Sequence, residues 1–208
     1  MFLRIISIIG SLTFLSRLLG YSRDLLVALI FGASYVSDAF FVSFKLPNLF
    51  RRLFAEGAMN SAFIPVVSGI KEKDGPEKAV LFLNEIFSIL FSFLLPFILI
   101  IELFMPLIVM IVAPGFEQNS VKYNLTVNLS RLSFPFLLFI CLSSLIGGYL
   151  NTMGKFAAMA FTPVILNLSM LSVLVLFINN ENQELISQYL ASSISLAGVI
   201  QLLWLFYH

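Results

Sequence analysis

Apolar runs of about 20 residues recur from one end of the chain to the other, each long enough to cross the ~30 Å hydrocarbon core of a bilayer. In lipid, every backbone N–H and C=O must be satisfied inside the spanning structure, so only helices or a closed barrel qualify. The runs are continuous rather than alternating, which selects helices. The expected fold class is therefore all-α, a multi-pass transmembrane bundle of about six helices. Composition agrees: 60% of the residues are hydrophobic and only 11% are charged, against about 25% charged in soluble domains.

The same numbers exclude several functions. A net charge of +1 gives no bulk attraction for nucleic acid, so none is expected as a partner. Cys141 is the single cysteine; alone it makes no internal disulfide and no metal cluster, and it reads as a small apolar packing residue. His208, the single histidine, has no assigned role. The chain lacks Gly-rich phosphate loops, HExxH, CxxC and GxSxG, so no enzyme, metal site or cofactor is expected. Near the start, Arg17 and Arg23-Asp24 interrupt the apolar stretch and no small-residue cleavage site follows, so a retained first helix is expected rather than a signal peptide.

Six helices are expected over residues 5–31, 35–70, 79–112, 128–150, 156–178 and 185–207, with Pro47 bending the second and Pro96 and Pro106 lying inside the third. Residues 117–127 are weakly amphipathic and are expected at an interface. Gly147 and Gly148 suit close helix packing, and the 23 phenylalanines read as lipid-facing or core residues. Lys71, Lys73, Lys78 and Lys155, with Arg4, fall on one side of the membrane, and only Lys122 on the other. That bias places both termini in the cytoplasm.

The first 60 residues carry charges that lipid does not tolerate. Arg17 lies about 13 residues, ~20 Å, into the first helix, and a central charge costs roughly 2.5–3.5 kcal/mol. Arg17, Gly20 and Asp24 share one helical face, and Ser16, Gly20 and Arg23 an adjacent one. On the second helix Asp38, Lys45 and Arg52 are seven apart, Glu56 follows Arg52 by one turn, and Asn48 and Arg51 flank the stripe. The two charged stripes can face each other across a polar cleft. Pairing would absorb some of these charges: Lys45 with Asp38, Arg52 with Glu56, Arg23 near Asp24. It does not absorb all. With Arg4 set aside as snorkelling to the interface, five bases (Arg17, Arg23, Lys45, Arg51, Arg52) face three acids (Asp24, Asp38, Glu56), a surplus of two cations. The inner charges also have membrane-lipid phosphates within reach. Surplus cations in a membrane cavity call for an anionic guest. Arginine predominates, and its planar fork grips phosphate oxygens in pairs, which favours a phosphate or diphosphate. Asn167, one turn after Pro163, lines such a cavity or bonds between helices.

These residues also carry a family resemblance. SRLLGYSRD at Ser16–Asp24 and DAFFVSFKLPNLFRRLFAEGA at Asp38–Ala58, with APGF at Ala113–Phe116, LNT at Leu150–Thr152 and Pro163–Asn167, resemble the MurJ (MviN) lipid II flippases, members of the multidrug/oligosaccharidyl-lipid/polysaccharide exporter superfamily. The resemblance implies two six-helix lobes around a central cavity in the bacterial cytoplasmic (inner) membrane. It implies flipping of the undecaprenyl-diphosphate-linked peptidoglycan precursor, lipid II, by alternating access. The matching substrate-binding residues would be Arg17, Arg23, Asp24, Arg51 and Asn167, with Asp38, Lys45, Arg52 and Glu56 as a charge network of the cavity. Residues 1–208 would then form the N-terminal lobe, with the second lobe absent. A fragment, a split gene with that lobe encoded separately, or a degraded gene would each account for this length. Alternatives are another exporter of the superfamily, carrying drugs, cations or other polyprenyl-linked saccharides, a membrane enzyme acting on isoprenyl phosphates, and a non-transporting partner of the cell-wall machinery.

Overall fold

The computed structural model describes residues 2–52 and 60–208. Among them all regular structure is helical: α1 (Phe2–Phe31), α2 (Tyr35–Arg51), α3 (Asn60–Asp74), α4 (Pro76–Leu103), α5 (Met105–Val112), α6 (Ser120–Ser133), α7 (Phe136–Thr152), α8 (Phe156–Leu176) and α9 (Gln183–Tyr207). Five stretches are long and apolar enough to span a membrane: Ile5–Phe31, Pro76–Leu103, Ser120–Thr152, Phe156–Leu176 and Gln183–Tyr207. The sixth expected span, 35–70, corresponds to α2 and α3 with residues 53–59 between them outside the described residues. The chain is a multi-pass membrane protein built as an all-α bundle.

Turn chemistry sets most boundaries. Gly32 adopts a left-handed φ of 57° and ends α1, a conformation that costs other residues a Cβ clash. Ser34 then caps α2 by accepting the Ser37 N–H. The helices pack around α7, in which nearly every residue from Phe136 to Leu150 is buried. α1 lies against α8, α2 against α6, and α9 against α6, α7 and α8. The α7 glycines permit close approach as expected: a Cβ on Gly148 would stand 3.5 Å from Ile64, and one on Gly147 would strike Met159.

Two expected boundaries are corrected. The stretch expected at an interface is largely the first half of a 33-residue spanning run, because α6 begins at Ser120 and leads into α7. Leu125, Thr126, Val127 and Ser130 are buried there. Thr126, which helps to make this segment look polar, donates its hydroxyl back to the Lys122 carbonyl of its own helix, so it enters the core already satisfied. The third expected helix breaks at Phe104. Pro106 has no N–H to offer the Glu102 carbonyl, which instead accepts from the Phe104 N–H and from Arg131 Nε at 3.4 Å.

Candidate functional site

Pro47 lies inside α2 and removes the N–H that would bond the Ser43 carbonyl. That buried carbonyl is taken by Ser133 Oγ of α6 at 3.0 Å. The proline is accommodated because a neighbouring helix supplies the missing donor. Around and beyond it, α2 turns Phe41, Phe44, Lys45, Asn48, Leu49 and Arg52 to one side at helical spacing, and Arg51 beside them. With Arg23 and Asp24 of α1 they line a cleft of about 570 Å³.

Arg23 is the most engaged group of this wall. Its side chain is only 14% exposed. Nε and Nη2 donate to Asp24 Oδ1 at 3.0 and 2.8 Å, and Nη1 donates to Asn167 Oδ1 at 2.8 Å. The guanidinium also stands 5.3 Å from the centre of the Phe44 ring, within cation–π range. Asn167 is held in turn, its Nδ2 donating to the Ser16 carbonyl at 2.9 Å. Gly20 of α1 makes room for that amide, since a Cβ there would lie 3.6 Å from Asn167 Nδ2. The i, i+4, i+7 set Ser16, Gly20 and Arg23 thus forms one surface against α8.

Arg51 Nε reaches Asn48 Oδ1 at 3.4 Å, and Asn48 Nδ2 donates to the Phe44 carbonyl at 2.9 Å. Lys45 and Arg52 are exposed along the wall. Four cationic side chains (Arg23, Lys45, Arg51, Arg52) and one carboxylate (Asp24) therefore line the cleft, 4 − 1 = +3 among the described residues. Such a concentration of one sign between apolar helices attracts anions strongly, because the low-dielectric walls screen little.

The residues singled out in the sequence separate into groups. Arg23, Asp24, Lys45, Arg51 and Arg52 line the cleft, and Asn167 touches it through Arg23. Arg17 is exposed on α1, about 9 Å along the axis from Arg23, outside the residues lining this cleft. Asp38 does not pair with Lys45. It accepts from Lys122 Nζ of α6 at 2.5 Å, beyond the cleft wall, because α2 packs along α6 and brings those first turns together. Glu56 lies outside the described residues. Phe41, Phe44, Leu49 and Met170 do not stand out in the sequence from other apolar residues. Met170 Sδ is 3.8 Å from Arg23 Nη1, and the available signal for the phenylalanines is their position beside Lys45, one residue and one turn away on the same helix.

The chain is similar to known proteins over most of its length. A family model described as lipid II flippase MurJ matches residues 27–208. A probable lipid II flippase MurJ of Rhizobium tropici is 41% identical over 196 residues, covering 93% of this chain and 37% of that protein. One from Rickettsia prowazekii is 38% identical over 199 residues, covering 96% of this chain and 38% of that protein. A solved structure of lipid II flippase MurJ in an inward closed conformation superimposes with a TM-score of 0.72 at 31% identity, covering 96% of this chain and 40% of its own. The chain spans about 38% of the length of the curated relatives it matches.

Proposed function

Because this chain belongs to the lipid II flippase MurJ family, we propose that it is the N-terminal lobe of a flippase for an undecaprenyl-diphosphate-linked peptidoglycan precursor, and that its cleft holds the diphosphate. The carrying observation is the +3 balance of the cleft wall, 4 − 1 among the described residues. A drug or cation antiporter needs the opposite sign. An enzyme acting on isoprenyl phosphates needs a base or nucleophile beside the cations, and Asp24 is already committed to Arg23.

Lys45, Arg51 and Arg52 would meet the phosphate oxygens directly. Arg23 has three of its donor directions occupied, so its part, with Asp24, is to hold the cleft's α1 wall. Arg17 would face the guest's headgroup further along α1. Phe41, Phe44 and Leu49 give the polyprenyl chain an apolar surface beside the charge. The lobe lies in the bacterial inner membrane with both termini in the cytoplasm, as the lysine bias across its loops implies. Alternating access then requires a second lobe closing the open side of the cleft.

The test joins this chain to the remaining part of a relative and asks whether the fusion sustains growth of cells depleted of their own flippase. Growth with the parent sequence, and loss of growth with Arg51→Ala or Arg51→Lys at normal membrane abundance, is the expected outcome. Undiminished growth with both would remove the diphosphate from this cleft.

A further inference from the structure

Lys122 stands where a helix tolerates a cation poorly. It is in the first turn of α6, beside the positive end of the helix dipole, and its side chain is only 19% exposed. Two contacts explain its position. Nζ meets Asp38 Oδ2 of α2 at 2.5 Å, and lies 3.9 Å from the centre of the Phe116 ring, a cation–π distance. Arg23–Asp24 and Lys78–Asp74 join residues close in sequence. This pair joins residues 84 apart and two separate helices. Two further links hold the same half of α2: Tyr35 OH donates to Glu184 Oε1 of α9 at 2.6 Å, and Ser133 Oγ donates to the Ser43 carbonyl. All of them lie before Pro47, and most of the cleft side chains of α2 lie around and after it.

We propose that Lys122 is a positioning residue: paired with Asp38, it clasps the start of α2 to α6 and so fixes the direction in which Lys45 and Arg52 face the cleft. The proposal rests on the diphosphate reading of that cleft. The link is helical geometry. A helix drifts ~20° per seven residues, so Asp38 and Lys45 share nearly one azimuth and Arg52, the C-cap of α2 two heptads on, lies about 40° round from Asp38. Fixing the first fixes the others, while rotation of α2 by one residue would swing them by about 100°.

The test uses the chain in lipid nanodiscs with undecaprenyl diphosphate as the probe. Lys122→Met keeps the stem over Phe116 and drops the charge, and Asp38→Asn drops the other charge. The exchanged pair Asp38→Lys/Lys122→Asp restores attraction with signs reversed. Both sites are first-turn positions, so the exchange leaves the sum of dipole interactions unchanged. Each single variant is expected to weaken probe binding about tenfold, typical of a coupled contacting pair, and to raise amide exchange across Tyr35–Arg51 while α7 to α9 stay protected. The exchanged pair is expected to restore both. Parent-like binding, or parent-like exchange of Lys45–Arg51, in Lys122→Met overturns the proposal, as does failure of the exchanged pair to restore the singles. If the parent itself fails to bind the probe, the diphosphate reading falls, and the exchange profile of α2 still decides the clasp.

Discussion

Replacing Asn167 separates what this amide does for the fold from what it does for the charge of the cleft. Its two shortest bonds to α1 accept from Arg23 Nη1 at 2.8 Å and donate to the Ser16 carbonyl at 2.9 Å, with a longer one to Ser16 Oγ at 3.3 Å, and it is 7% exposed. Interhelical bonds in membrane bundles average about 0.6 kcal/mol and reach about 1.7, so two of them make Asn167→Ala cost about 1–3 kcal/mol. Asn167→Asp sets a carboxylate oxygen against the Ser16 carbonyl but keeps an acceptor for Arg23, strengthened by its charge, so its cost is the smaller. It also brings a second carboxylate to the cleft, lowering the balance from 3 to 3 − 1 = 2. Reversible unfolding in mixed detergent micelles reads the first quantity and binding of undecaprenyl diphosphate reads the second. The Ala variant is expected to lose more stability than the Asp variant, and the Asp variant to lose more binding than the Ala variant. Equal stabilities of the two variants, or parent-like binding by Asn167→Asp, would refute the bridge as described.

Further outcomes follow from packing and topology. Gly198→Ala should cost about 1–3 kcal/mol of unfolding free energy through overpacking, because its Cβ would stand 2.9 Å from both Phe136 and Phe139; Gly147→Ala should cost less, since Met159 has a flexible side chain to move aside. Ser133→Ala should cost about 1–3 kcal/mol by stranding the buried Ser43 carbonyl, and adding Pro47→Ala should recover part of that loss, because an alanine N–H at 47 supplies the missing donor. A maleimide that does not cross membranes should label Glu181→Cys and not Lys73→Cys in intact cells; the reverse pattern would invert the orientation. Buried Cys141 should stay silent in that assay.

Much of the bundle was legible because lipid leaves a chain few choices. The spans beginning at 5, 156 and 185 end within a few residues of α1, α8 and α9, since polar turns and glycines punctuate them. The start of α6 was not legible. Its buried face includes Thr126, Ser130 and Ser133, which count as polar in any periodicity although the Thr126 hydroxyl bonds to its own helix and the Ser133 hydroxyl reaches the Ser43 carbonyl of α2. The cleft was legible where it depends on register along one helix, as with Lys45 and Arg52, or on the charge surplus, as with Arg23 and Arg51. It was not legible where it depends on which helix lies opposite. Asp38 has a lysine seven residues along its own helix and pairs with one 84 residues away. Phe44 looks like any of the other phenylalanines until Arg23 is placed over it.

The most direct test of the account compares binding of undecaprenyl diphosphate and undecaprenol to this chain in nanodiscs. The two probes share a tail and differ in the anion. Each charge-assisted contact is worth roughly 1.5–3 kcal/mol, or about 10- to 150-fold. The diphosphate is expected to bind at least tenfold more tightly, with added salt narrowing the gap and Arg51→Ala narrowing it further. Equal affinity for the two probes at low salt would contradict a cleft built to hold a diphosphate.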